Sequence, residues 1–307
     1  MSGTWYDGPI IDAHTHLWNL TENDHYPWLR PAGNFGPKGR LDALKGKNYV
    51  LDDYRRDIAG TGVVASVHIE ALWETAADPV NETRWLESLG SPDLASRYVA
   101  AATFGVAGTR AELEAQAAFD RVRGIRQVIA WTPNPERRMA AEADITRRPE
   151  WREAITTLLD LDLHLELLMY PHQAQNVAEL AADFPTLPIV VNHIGSPIEQ
   201  DDAGLELWRD GVTLMSAQSN VLVKLSAAAA YPTEKSVDAM RPFADHLVGS
   251  FGADRVMVGS DFPVGTLVGW SYATYMDAYR AVLEGNSRDE QAAMFHDTAA
   301  RLYRMAV

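Results

Sequence analysis

Apolar residues along the chain gather into eight short runs rich in Val, Ile and Leu: Ile10–Ala13, Val63–Ile69, Tyr98–Thr103, Ile125–Ala130, Leu163–Met169, Ile189–His193, Val221–Leu225 and Val256–Val258. Such runs read as strands, and their near-continuous apolar character predicts burial on both faces. Between them the spacing becomes helical, with recognisable start signals. Thr109 and Glu112 have the spacing of a capping box, Pro149 is placed to open a Trp151–Asp160 helix, and Ser287 with Glu290 opens the last helix. Strand and helix therefore alternate, which implies parallel strands joined by right-handed helical crossovers. An open doubly wound sheet would favour a glycine-rich phosphate loop after the first strand. Here that strand runs into His14-Thr15-His16, and no dinucleotide or P-loop pattern occurs. The pattern predicts an α/β fold, a (β/α)8 TIM barrel forming a single domain over residues 1–307, with no linker or internal repeat.

Two segments are too long for minimal barrel turns: Trp18 to Tyr49, rich in Pro, Gly and aromatic residues, and Trp131 to Pro149, which carries Arg137, Arg138, Arg147 and Arg148. These are the long loops after strands one and four. A long loop after a barrel strand belongs to the active-site face, so the first reads either as a substrate-shaping lid or as a structural arm around the barrel.

Composition narrows the function. A length of 307 residues suits one decorated barrel, which needs roughly 250 or more. With 42 acidic against 27 basic residues the formal charge is −15, a surface that repels phosphate backbones and anionic headgroups. No nucleic acid and no membrane partner is expected; a small-molecule substrate is, and a homo-oligomer stays open. No apolar run approaches the roughly 20 residues that span a bilayer. Met1 to Asp7 lacks the order of a signal peptide, so a cytoplasmic protein is expected. With no cysteine, any metal must be held by histidines and carboxylates.

The chemistry concentrates at strand ends. Side chains alternate along a strand, so His14 and His16 face one way, into the barrel mouth, and offer two imidazoles to one metal ion or substrate oxygen; the alternative is a pair of buried, satisfied histidines. Asp261 stands where the eighth strand stops and, because the barrel closes, beside the first strand. It can act there as the base that deprotonates water, or it can cap the turn before Pro263. His193 ends the sixth strand, with Gly195 allowing a sharp turn, and can orient water, polarise a carbonyl or complete a metal shell. Asn192 points the other way and reads as structural. His68 and Glu70 share one face of the second strand, lining the site or bonding within the barrel. His172, just past strand five, can touch substrate or cap a helix. Lys224, isolated in strand seven, needs a carboxylate or a substrate anion. Trp18, Trp131 and Trp270 follow strand ends and can stack on a substrate ring. His164 lies at the early end of strand five, the stability face, and reads as structural; His25, His246 and His296 read as surface or packing residues.

The order of IDAHTHLW, VHIEALWETAADPVNETRWL, GIRQ, VVNHIGSP, NVLVKLS and VMVGSDFP resembles the amidohydrolase family 2 group of TIM-barrel hydrolases, in particular its lactonase branch of sugar-acid lactonases and 2-pyrone-4,6-dicarboxylate lactonase. The resemblance spans nearly the whole chain. It implies that His14, His16 and His193 bind a metal or the scissile carbonyl, that Asp261 activates water, and that Arg126 binds an anionic substrate. Relatives that depend on metal carry a histidine at the end of strand five, and larger ones a lysine on strand four; this chain has neither. The resemblance thus implies at most one ion, Zn or another divalent metal, on His14, His16 and Asp261, and also admits metal-independent hydrolysis. The expected activity is hydrolysis of a lactone. A metal-dependent non-oxidative decarboxylase on the same barrel is the alternative enzyme, and a small-molecule binding protein with a degenerate site the alternative outside catalysis.

Overall fold

The computed structural model describes residues 5–33, 41–74 and 76–306. Its eight strands are β1 Ile10–Thr15, β2 Val63–Ile69, β3 Arg97–Ala101, β4 Val122–Val128, β5 His164–Leu168, β6 Ile189–Val191, β7 Val221–Leu225 and β8 Val256–Val258. They form one parallel sheet in sequence order. The ends of the sheet meet: Asp261 N–H donates to His14 O and His16 N–H to Phe262 O, both at 2.8 Å, beyond the last residue of β8. Gly259 permits this closure, because a Cβ there would lie 2.7 Å from the His14 Cβ.

Helices α1 Leu51–Ile58, α2 Val80–Ser88, α3 Thr109–Ala117, α4 Pro149–Asp160, α5 Ala174–Asp183, α6 Asp202–Ser216, α7 Val237–Phe251 and α8 Tyr272–Leu283 follow the strands in turn, and α9 Arg288–Ala292 and α10 Thr298–Tyr303 end the chain. The apolar runs bury as expected except at the start of β2, where Val64 is exposed. Ile11, Ala13, Val67, Val99, Val190 and Met257 fill the barrel axis, and Tyr303 from α10 seals its lower end. Outward-facing aliphatics of the strands pack against the helices in a second, larger cluster.

Pro149 opens α4, and Ser287 with Glu290 forms the capping box of α9. Thr109 does not cap α3. It is already the first helical residue, behind Gly108 at φ 100°, and its hydroxyl bonds back to Thr103 O, while Glu112 accepts from Thr103 N–H. The Thr-x-x-Glu spacing thus ties the β3–α3 loop rather than the helix end. The segment after β1 is partly an arm: Trp18 pairs with Tyr49 in an antiparallel bridge, and Tyr26, Trp28 and Leu29 are buried. Residues 34–40 of this segment lie outside the described residues. No helix among the described residues is long and apolar enough to cross a membrane.

Candidate active site

The two histidines of β1 reach the mouth through a bulge. Asp12 pairs with Ser66 and Thr15 with His68, so three steps along β1 match two along β2. The extra residue re-aims the strand end, letting Ala13 stay with the axial core while His14 and His16 turn together toward β8.

Asp261 Oδ1 lies 3.6 Å from His14 Nε2, 3.4 Å from His16 Nε2 and 3.8 Å from His193 Nε2. One carboxylate oxygen thus faces three imidazole nitrogens, brought from β1, the end of β6 and the end of β8. All four residues are buried.

The tautomer of one ring follows from its partner. His16 Nδ1 sits 2.7 Å from the Ile69 carbonyl, which only accepts, so Nδ1 carries the proton and Nε2 presents a lone pair toward Asp261. His193 Nδ1 sits 3.0 Å from Ser226 Oγ, which already accepts from the His193 backbone N–H. When the hydroxyl donates to Nδ1, Nε2–H is left as a donor facing the cleft; the second lone pair of Ser226 Oγ also allows it to accept from Nδ1–H. Both ring nitrogens of His14 are buried without a hydrogen-bond partner among the described residues.

Burial pushes His14 well below its ordinary value, and the charges of His193, Lys224 and His16 push the same way. Burial also pushes His193 down to about 4, against the pull of Asp261. Both rings are therefore neutral near neutral pH. Burial alone would raise the Asp261 carboxyl, but His193 and His16 in their protonated forms, together with the permanent charge of Arg126, outweigh it and set the group below its ordinary value.

These donors suit a single divalent ion. His14, His16 and Asp261 each offer one ligand atom, all within 4.8 Å of one another. The 3.4 and 3.6 Å separations match the edge of a tetrahedron with ligand bonds of about 2.1 Å, roughly 3.4 Å. The unsatisfied nitrogens of His14 and the lone pair of His16 point to the same conclusion.

A cleft opens above the cluster, reached by His16, His193, Asp261 and Arg126. Leu72, His193, Ser196, Ala227 and Asp261, all on its lining, hold φ between 50° and 60°. Such backbone is costly for residues with a Cβ and gathers where function demands it. Arg126 on β4 is fixed by Glu70, with Nε 2.6 Å from Oε1.

The other candidate substrate contacts do not reach the cleft. Trp18 is buried behind it, its indole donating to Lys47 O and its ring edge-on to Trp28. Trp28 lines the cleft instead, because the chain turns back ten residues later. Trp131 lies under the Arg138 guanidinium, and Trp270 meets Tyr275 edge-on. His68 faces outward toward α2, with Nδ1 accepting from Leu17 N–H and Nε2 3.6 Å from Glu82. His172 is 3.7 Å from Glu199 at the rim. Lys224 is fully buried against Glu166 at 2.6 Å, one layer below the histidines. Glu166 also accepts from Asn192 and Tyr303 and contacts His164, whose ring occupies the space left by the missing side chain of Gly124. Burial pushes Lys224 down to about 8 despite this partner. Missed by the sequence reading were Glu166, Ser226 and the loop residues Trp28 and Met139. For Glu166 there was a signal: an acid in an apolar strand is the natural partner of a lysine in another.

The sequence profile of the Amidohydrolase family matches residues 11–305. A Sinorhizobium fredii protein, y4mH, is 30% identical over 300 residues, covering 97% of this chain and 99% of that protein. An L-fucono-1,5-lactonase from Burkholderia ambifaria is 29% identical over 270 residues, 84% of this chain and 82% of that enzyme. An amidohydrolase from Burkholderia multivorans, solved with bound HEPES and with bound zinc, superposes with a TM-score of 0.79 at 22% identity, covering 97% of this chain and 99% of that one. Matched by the family profile over nearly its whole length and by these neighbours in fold, the chain belongs to the amidohydrolase family and is a hydrolase of the TIM-barrel kind.

Proposed function

We propose that the protein hydrolyses a lactone. The observation that carries this reading is the convergence of three imidazole nitrogens on one ionised carboxylate oxygen at the floor of a cleft, with no cysteine nucleophile anywhere in the chain. The names of curated relatives at 29% and 24% identity, both L-fucono-1,5-lactonase, support the substrate class.

Asp261 takes a proton from water as its oxygen adds to the ring carbonyl carbon. The ring C–O bond then breaks, and the proton passes from Asp261 to the departing alkoxide. The product is an open hydroxy acid, which loses a proton to solvent at neutral pH. His193 donates from Nε2–H to the carbonyl oxygen as negative charge gathers there, and its low basicity keeps it a neutral donor. Arg126, with Nε and Nη2 held by Glu70, presents Nη1 to a carbonyl or carboxylate of the substrate. A divalent ion on His14, His16 and Asp261, zinc by the chemistry of the donors, supplies Lewis-acid polarisation and acidifies water when bound.

The test is Asp261→Asn, which keeps the shape and removes the base. Turnover of a lactone panel should fall by about 10²- to 10⁴-fold with the fold intact by circular dichroism. Undiminished turnover would end the assignment. Release of CO₂ from hydroxybenzoates without lactone turnover would favour decarboxylation.

A further inference from the structure

Resting on that lactonase reading, we infer that the substrate carries a hydrophobic body, an alkyl or aryl substituent on the lactone ring, rather than the hydroxyls of a sugar. Among the described residues, the charged groups and imidazoles of the cleft are His16, Arg126, His193 and Asp261, at its floor. Above it the walls are Trp28, Leu72, Met139, Leu168, Ile198 and Val264. Of the polar groups among these walls, Ser196 Oγ is buried without a hydrogen-bond partner among the described residues, while two others are engaged within the protein. The Trp28 indole donates to Ala71 O at 2.7 Å and the Tyr170 hydroxyl to Arg137 O at 3.0 Å. A polyhydroxylated ring entering here would give up its water hydrogen bonds with few replacements among the described residues.

The apolar surface also continues beyond the reacting centre. A second recess lies over the mouths of β2, β3 and β4 and shares Leu72, Arg126 and Met139 with the first. Its apolar walls are Trp73, Phe104, Trp151, Ala102 and Val128, and Glu70, Thr103 and the Trp73 indole, unpartnered among the described residues, are among its polar points. The Gln127 amide N–H₂ is spent on Ala102 O and Arg126 O, and Glu74 is taken by His25 and Arg30. Arg126 sits at the junction. A lactone with its carbonyl over Asp261 and its polar edge at Arg126 would extend its substituent past Leu72 and Met139 into the aromatic recess. Neither the histidine cluster nor the name of any relative requires this second arm.

The experiment compares kcat/KM of the zinc-loaded enzyme for D-glucono-1,5-lactone, δ-valerolactone and δ-decalactone. Each buried methylene is worth about fourfold, so burial of the five-carbon chain should make δ-decalactone exceed δ-valerolactone by on the order of a thousandfold. Gluconolactone should be the poorest of the three. Ala102→Phe fills the recess and should collapse the ratio between decalactone and valerolactone by about tenfold or more; Ala102→Leu does the same more gently should the phenylalanine variant not fold. A δ-lactam bearing a pentyl chain, which is not hydrolysed, supplies an arm independent of turnover. It should quench tryptophan fluorescence of the wild type and bind Ala102→Phe more weakly than the unsubstituted lactam series predicts. Gluconolactone matching or exceeding decalactone, or an unchanged ratio in both Ala102 variants, would overturn the inference. If no lactone is turned over but the pentyl lactam binds in the recess, the reaction assignment fails while the hydrophobic groove stands; if the lactam also fails to bind, both fall.

Discussion

Asp12 on β1 accepts from both the backbone N–H and the hydroxyl of Ser260, at 2.8 and 2.6 Å, and so ties the first strand to the residue immediately before Asp261. The same carboxylate accepts from the His14 backbone and from the hydroxyls of Tyr54 and Tyr272. It touches neither the cleft nor the ring nitrogens, yet it fixes the two strand ends that carry the chemistry.

Asp12 is accordingly a positioning residue. Asp12→Asn puts an amide donor where every partner donates, and should cost about 1–3 kcal/mol of stability. With the β1–β8 junction loosened, kcat should fall at least about tenfold while KM changes little, since catalytic geometry tolerates displacements of well under 1 Å. Steady-state kinetics beside urea unfolding checks this. A stability loss with kcat unchanged would reduce Asp12 to a structural role.

How legible the site was in the sequence depended on whether one strand or several held the information. His14 and His16 could be read from β1 alone, since alternation fixes their shared direction even though a bulge, invisible in the sequence, does the aiming. Asp261 followed from barrel closure. The partner of Lys224 did not, because Glu166 lies on β5, two strands away, and their height depends on register through β6. Loop aromatics were least legible: Trp18 and Trp28 have similar surroundings in sequence, and only the path of the arm decides which one faces the cleft.

The buried Glu166–Lys224 pair yields a second prediction. Glu166→Gln leaves the ammonium without its counter-charge in the barrel axis, and Lys224→Met leaves the carboxylate; each should cost about 3–5 kcal/mol. The double variant removes both charges and should unfold closer to the wild type than either single variant does. Urea midpoints of the four proteins test the coupling. Strictly additive losses would mean that the two groups do not act as a pair.

The same acid predicts how stability depends on pH. Burial would raise Glu166, but the charge of Lys224 and the contact with His164 hold its carboxyl below the usual range. The unfolded chain takes up a proton near the ordinary value of 4.5, and the folded chain resists it. Stabilisation from this group is therefore complete above about pH 4.5 and is lost as pH falls below it, at up to about 1.4 kcal/mol per pH unit. Unfolding free energies between pH 7 and pH 3.5 should show this acid limb. It should be shallower in the Glu166→Gln, Lys224→Met double variant, and equal slopes in the two proteins would refute the assignment to Glu166.

Metal binding offers a test that does not depend on knowing the substrate. An ion that binds the folded cluster and not the unfolded chain stabilises the fold by about 2.7 kcal/mol when present at about a hundred times its dissociation constant. Chelator-treated protein should therefore melt several degrees lower than zinc-loaded protein, and zinc titration should restore the difference. His14→Asn removes a ring whose two nitrogens have no other partner among the described residues, so it should lose the zinc-dependent increment at little other cost. His16→Asn should lose the increment and also weaken the tie to Ile69 O, lowering the melting temperature of the metal-free form. His193→Gln should retain most of the increment, because the ligand atoms that gather for one ion are those of His14, His16 and Asp261. Equal zinc-dependent shifts in all three variants would place the ion elsewhere and leave Asp261 to work with the imidazoles alone.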